Sequence, residues 1–202
     1  MDSSRQDLLR LLAAKSFRLG QFKLSSGATS DYYIDCRTTT LDAKGSRLTG
    51  EVFFDEIRQR GWKPRAIGGL TMGADPIVVA VSVVSGELDG FLVRKAEKQH
   101  GTGQRIEGFR EKGARVVIVD DVCTTGASTV QAIEAAREFG FEIAGVMCLV
   151  PIKTRTPAKL PSIPRGVLRS ISSQVRNISG TSRSTRQATS MWRRATAARS
   201  IA

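Results

Sequence analysis

Histidine is almost missing from this sequence, His100 being the single one, and the three cysteines (Cys36, Cys123, Cys148) stand apart with no CxxC pair. These scarcities exclude a disulfide framework and a zinc site. Isolated thiols suit a reducing cytoplasm. Long apolar runs are lacking too. The most apolar stretch, PIVVAVSVV at 76–84, is too short to span a bilayer, and MDSSRQDLLRLLAAKSF lacks the apolar core and cleavage site of a signal peptide. The expectation is a soluble protein of the cytoplasm with no membrane partner. No GxxxxGK[ST], GxGxxG or GxSxG occurs, and one histidine cannot serve both a metal and a triad.

Acidic residues are absent from 151–202, a stretch holding 11 of the 31 Lys and Arg. The remaining 20 basic residues nearly balance all 19 acidic ones, so the net charge of +12 belongs to the tail. A nucleic-acid partner for the folded part therefore has no support from charge. The 202 residues suit one α/β-sized domain plus an appendage, long enough to bury a core.

Along the chain the hydrophobic period alternates. Ser4, with Asp7 three residues on, reads as the cap of a first helix with a Leu8, Leu11, Leu12 stripe, ending near Gly20. Residues 22–41 read as extended and turn-rich. A second helix is predicted from Ala43 to Arg60, with Leu48, Val52 and Ile57 on one face and Gly61 as its stop. Short apolar strands are predicted at 65–69, 90–94, 115–120 and 143–150, with helices at 74–85 and 126–139. Strands buried on both faces and alternating with helices predict an α/β fold with a mainly parallel sheet flanked by helices.

In such sheets ligands bind beyond the carboxyl ends of the strands, which draws attention to VVIVDDVCTTGAS at 116–128. VVIV reads as a central strand, Asp120 and Asp121 as its tip, and the rest as the turn into a helix. Unpaired N–H groups and the positive dipole end of that helix suit a phosphate, and Thr124, Thr125 and Ser128 add hydroxyls. Two acids beside an anion site suit sugar hydroxyls, or a hydrated Mg²⁺ bridging sugar and phosphate oxygens. A strand of any α/β protein can end in Asp, and acid pairs also occur in phospho-acceptor receiver domains; the whole run narrows the reading to a sugar phosphate.

That run resembles the phosphoribosyl pyrophosphate signature of type I phosphoribosyltransferases. FKLSSGATSDYYIDCR (22–37), GGLTMGADP (68–76) and VRKAEKQHGTGQRIEG (93–108) are similar, in order and spacing, to the orotate branch of that family. The resemblance covers about residues 1–150, read as one domain with a small N-terminal hood. It implies transfer of 5-phosphoribosyl from phosphoribosyl pyrophosphate to orotate, with Mg²⁺, in pyrimidine nucleotide biosynthesis. Asp120, Asp121, Lys98 and His100 are implied as catalytic. Arg94, Lys95, Lys98, His100, Asp120, Asp121, Val122, Cys123, Thr124, Thr125, Gly126, Ala127 and Ser128 are implied to bind the cosubstrate. Thr124, Tyr33 and Ile34 are implied at orotate; no residue is assigned as a direct metal ligand.

Taken alone, the cations of RKAEKQHG are a solvated charge run. Beside the signature they suit a mobile loop closing over a diphosphate leaving group. The resemblance implies that loop 94–109 crosses to the other subunit of a homodimer, and Lys95 is expected to act across that interface. Gly68, Gly69 and Gly73 are expected to let backbone approach the pyrophosphate, although a plain strand-to-helix turn accounts equally well for any one of them. Asp75 and Pro76 are expected as cap and first residue of the next helix. Tyr32, Tyr33 and Ile34 would pack in the core if the resemblance were set aside. Ser25 departs from the family, many of whose members carry lysine there. The rivals are a purine phosphoribosyltransferase, which would not be expected to show the RKxxKxHG loop, and a non-enzymatic regulator of the same fold binding phosphoribosyl pyrophosphate or RNA.

The tail at 151–202 is rich in Ser, Thr, Arg and Pro and suits a disordered basic linker. An RNA- or membrane-surface arm is a second reading. A frame shift near Val150 is the reading favoured here, because the family continues this strand into an acidic loop with an orotate-binding arginine. Codons for PIKTR exist that read Asp-Gln-Asp-Glu in another frame.

Overall fold

The computed structural model describes residues 2–23, 29–95, 105–152 and 168–170. Helix α1 (Asp2–Leu11) buries Leu8, and Leu12 just beyond it is buried too, so the predicted leucine stripe faces inward. Its ends differ from expectation. Ser4 lies within the helix and donates to Glu51 Oε2 at 2.9 Å instead of capping. The chain then makes a wider π turn at Leu12–Ser16 and leaves the helix there, not at Gly20. Strand pairing claims the next residues: β1 (Phe17–Lys23) runs antiparallel to β2 (Thr29–Ile34). Phe17 stacks on Tyr32 and Phe22 packs against Tyr33, with centroids 5.7 and 5.5 Å apart. Such cross-strand aromatic pairs stabilise a two-stranded ribbon whose first strand is otherwise largely exposed.

Residues 37–40, expected to be irregular, form a short helix α2 (Arg37–Thr40). Helix α3 (Ala43–Gln59) starts where Asp42 accepts from the Gly45 N–H at 3.0 Å, and it buries Leu48, Val52 and Ile57 as predicted. Gly61, at φ 61°, follows its end.

Next come β3 (Ala66–Leu70), α4 (Asp75–Ser85), β4 (Asp89–Val93), β5 (Ile106–Gly108), β6 (Arg115–Cys123), α5 (Ala127–Phe139), β7 (Glu142–Pro151) and β8 (Leu168–Ser170). The strands lie in the order β5-β4-β3-β6-β7-β8, parallel except for β5. Strands β5 and β8 were not predicted, each being only three residues long. Strand β8 pairs with Val146–Cys148 from within the basic tail.

Two hydrophobic layers sandwich the sheet. One joins α1, α3 and α4 to Ile67, Val117 and Val119; the other joins α5 and Phe141 to Phe91, Val116 and Ile118. The period-2 alternation of β6 sends neighbouring residues to opposite layers. Gly68 and Gly69 serve this packing. A Cβ on Gly68 would meet the Phe91 ring at 2.5 Å, and one on Gly69 would meet the Val119 carbonyl oxygen at 2.2 Å. The Asp75 expectation changes. Ala74 precedes α4, no side chain caps it, and Asp75 is its first residue, followed by the expected proline.

Candidate functional site

The chain runs from β3 to β4 on one side and returns to β6 on the other, so the ends of β3 and β6 frame the switch point. Pairing between these strands stops at Gly68 with Ile118. Strand β6 nevertheless continues beside β7, with Cys123 opposite Pro151. Asp120 and Asp121 therefore lie within β6 rather than at its tip, because the long β7 extends the ladder. On the β3 side they stand beyond the last paired residue, and a cleft of about 300 Å³ opens there.

Three walls line it. Tyr33, Ile34, Asp35 and Arg37 come from β2 and α2; Leu70 to Gly73 and Lys95 come from the ends of β3 and β4; Asp120, Asp121, Val122 and Ser128 come from β6 and α5. The expected residues Tyr33, Ile34, Lys95, Asp120, Asp121, Val122 and Ser128 are thus brought together. Cys123, Thr124, Thr125, Gly126 and Ala127, the end of β6, the adjoining turn and the start of α5, do not line the cleft. Gly126 has φ 85°, a conformation that glycine adopts without strain, and offers no side chain to cap α5, whose Ala127 N–H makes a long 3.4 Å bond to Thr125 Oγ1. That helix N-terminus suits an anion. Lys98 and His100 lie outside the described residues.

The two carboxylates have different environments. Asp120 is 6% exposed; its Oδ2 accepts from Thr129 Oγ1 at 2.7 Å and its Oδ1 from the Asp121 N–H at 3.0 Å. Burial pushes its carboxyl up to about 6 despite the Thr129 hydrogen bond. Asp121 is less buried, accepts from the Val122 N–H at 2.8 Å, and faces the turn after β3. A Cβ on Gly73 would lie 2.4 Å from its Oδ1, so Gly73 is where backbone closely approaches a site group. Thr129 was missed by the sequence reading, which stopped at Ser128; a hydroxyl one helical residue further on was the available signal.

Arg94 stands beside the cleft, not in it. Its guanidinium is 3.6 Å from Glu107, and its N–H donates to the Arg105 carbonyl at 2.9 Å. This bond closes the stem of the basic loop. Lys95, two residues past β4, is held at that stem, and its carbonyl accepts from Gln131 at 3.4 Å. It lines the cleft at the root of the basic loop. Cys123 directs its sulfur toward Thr129, 3.9 Å away, and toward Cys148, whose hydrogen bond brings the Cys123 thiol down to about 7. Asp35 and Arg37, which carried no assigned role, form a bidentate pair at 2.9 and 3.0 Å. The guanidinium bond lowers the Asp35 carboxyl below its ordinary range.

A parallel sheet carrying a carboxylate pair and a hydroxyl-rich turn at its switch point defines the phosphoribosyltransferase class, and the Phosphoribosyl transferase domain model matches residues 40–183. The match runs past Val150, where the sequence reading ends the resemblance, and begins after the wall formed by residues 33–37. Orotate phosphoribosyltransferase of Rhodopirellula baltica is 40% identical over 160 residues, covering 74% of this chain and 83% of the relative. That of Streptomyces avermitilis is 42% identical over 164 residues, covering 79% and 89%. The Mycobacterium tuberculosis orotate phosphoribosyltransferase in complex with 5-phospho-α-D-ribosyl 1-diphosphate superposes with a TM-score of 0.68 at 34% identity, covering 83% of this chain and 94% of that one. This chain belongs to the orotate phosphoribosyltransferase family.

Proposed function

We infer that the protein transfers the 5-phosphoribosyl group from phosphoribosyl pyrophosphate to N1 of orotate, releasing diphosphate and forming orotidine 5′-monophosphate for pyrimidine nucleotide synthesis. The observation that carries this reading is the meeting, in one cleft, of the Asp120–Asp121 pair with a wall of Tyr33 and Ile34.

The C1–O bond of the cosubstrate breaks as N1 approaches, so positive charge develops on the ribosyl ring and negative charge on the diphosphate. Asp120 and Asp121 hold the ribose hydroxyls, and their field favours the ribosyl cation. The turn at Thr124–Ser128 and the start of α5 take the 5′-phosphate. Lys95 and the turn at Thr71–Gly73 face the diphosphate. Tyr33, 41% exposed, offers its ring to the planar base, with Ile34 beside it. Among the described residues no group of three or more His, Cys, Asp or Glu could hold a metal ion unaided. The carboxylate pair instead fits Mg²⁺ arriving with the cosubstrate, Asp121 being the more accessible member. The ion's contribution when bound is to neutralise diphosphate charge.

The resemblance supports a homodimer whose basic loop, with Lys98 and His100, completes the partner's site. Its three free cysteines suit the cytoplasm. Among the described residues no helix is long and apolar enough to cross a membrane.

Loss of the orotate ultraviolet absorbance in the presence of phosphoribosyl pyrophosphate and Mg²⁺ tests the reaction. Turnover of adenine or hypoxanthine with none of orotate overturns it.

A further inference from the structure

We propose that Arg37 recognises the carboxylate of the base, with Asp35 as the residue that positions it. The inference rests on orotate being the substrate and names how the cleft selects it.

The base end of the cleft follows from its walls. The phosphate-binding turn and the start of α5 lie beside Val122 and Ser128, while Lys95 and Thr71–Gly73 share another wall, since the Thr71 N–H donates to the Val93 carbonyl at 2.9 Å. Both walls lie within the matched segment 40–183, which carries what phosphoribosyltransferases share. Residues 33–37 lie outside it and complete the cleft. They are placed to recognise what differs among these enzymes, the acceptor base.

Arg37 is the cation of that wall, and its geometry is fixed. Its Nε donates to Asp35 Oδ1 at 2.9 Å and its Nη2 to Oδ2 at 3.0 Å, while the Arg37 N–H also donates to Oδ1 at 3.1 Å. Two of five guanidinium N–H groups are used, leaving three, among them both on Nη1. The side chain is 44% exposed and lines the cleft. A planar fork held along one edge matches a carboxylate at the other, in a way that a lysine ammonium does not. Asp35 supplies orientation and lowers the net charge of this wall. The interaction thus depends on geometry more than on attraction for any anion.

Orotidine monophosphate and uridine monophosphate differ only by this carboxylate, so calorimetric binding of each to the full chain tests the idea without needing turnover. The parent protein should prefer orotidine monophosphate. Arg37→Ala should reduce that affinity by about 10- to 100-fold, the range of a charge-assisted hydrogen bond, and leave uridine monophosphate within about twofold. Asp35→Asn should give a smaller loss of the same preference. In turnover, the KM for orotate should rise while that for phosphoribosyl pyrophosphate holds. If Arg37→Ala does not fold, Arg37→Gln carries the same comparison. An unchanged preference, or equal loss for both nucleotides, overturns the role of Arg37 while leaving the orotate reaction standing. Failure of the parent to bind either nucleotide or to consume orotate overturns both.

Discussion

Thr129 Oγ1 donates a 2.7 Å hydrogen bond to Asp120 Oδ2, fastening the first turn of α5 to the carboxylate that precedes it by nine residues. Thr129→Val keeps the shape and removes the donor. Leaving the buried acceptor without it should cost about 1–3 kcal/mol of stability. It should also raise the Asp120 carboxyl further, so the acidic limb of the pH–rate profile moves toward neutrality. Denaturant melts and pH–rate profiles of the two proteins check both effects.

Asp120 gives opposite pH dependences for activity and for stability. Its carboxyl rises from 3.8 to about 6 on folding through burial, so the native state binds the proton more tightly than the unfolded chain. The stabilisation from that proton is full below 3.8 and is lost as pH rises through about 6. Activity needs the ionised form and should fall about tenfold per pH unit below about 6. Between about pH 4 and pH 7.5, the stability difference between Asp120→Asn and the parent should move in the variant's favour by about 2 kcal/mol. Urea midpoints at the two pH values measure the shift.

Two glycine substitutions should separate site from core. Gly73→Ala places a methyl 2.4 Å from Asp121 Oδ1 and should remove most activity while the thermal midpoint changes little. Gly68→Ala drives a methyl into the buried Phe91 ring, and overpacking of this kind should lower stability by about 1–3 kcal/mol.

Mixed dimers test which chain supplies each loop cation. Lys95 lines the cleft that holds Asp121 and stands at the root of the loop expected to cross, so mixing Lys95→Ala with Asp121→Asn chains should restore activity when Lys95 serves the partner's site, and none when it serves its own. Mixing Lys98→Ala with Asp121→Asn should restore about a quarter of parental activity, because a dimer exchanging loops then keeps one intact site. No recovery in heterodimers verified by mass would remove the crossing loop from the mechanism.

The basic tail makes a prediction about the gene. A frame shift near Val150 should appear on resequencing, and restoring the frame should raise orotate affinity. One confirmed frame through codon 202, together with a protease-resistant tail in the purified protein, rules this out.

The parallel sheet, its helices and the carboxylate pair were legible because each is encoded locally. Apolar runs at 65–69 and 115–120 and the period of α3 announce themselves within a few residues. What was not legible depends on partners distant in sequence. Phe17–Gly20 reads as the end of a helix until Thr29–Ile34 pairs with the strand it opens, and β6 extends to Cys123 only because β7 continues alongside. The Phe91 ring and the Val119 carbonyl, which leave no room for a Cβ at Gly68 and Gly69, are likewise distant in sequence. Arg37 drew no notice because a fork aimed into a cleft has no periodicity.

The alternation of β6 makes the site a junction between two bodies of packed side chains. Asp120 is tied to α5, on the side of Phe91 and Ile133, and Asp121 faces the side of Phe53 and Ile77. A shear between those bodies, of whatever origin, becomes a change in the distance between the two carboxylates. Variation deep in either one, far from any ligand, is therefore a means of tuning the grip on a sugar ring, and surveys of altered catalysis in this chain should find hits at Phe53 and Ile133 as well as around the cleft.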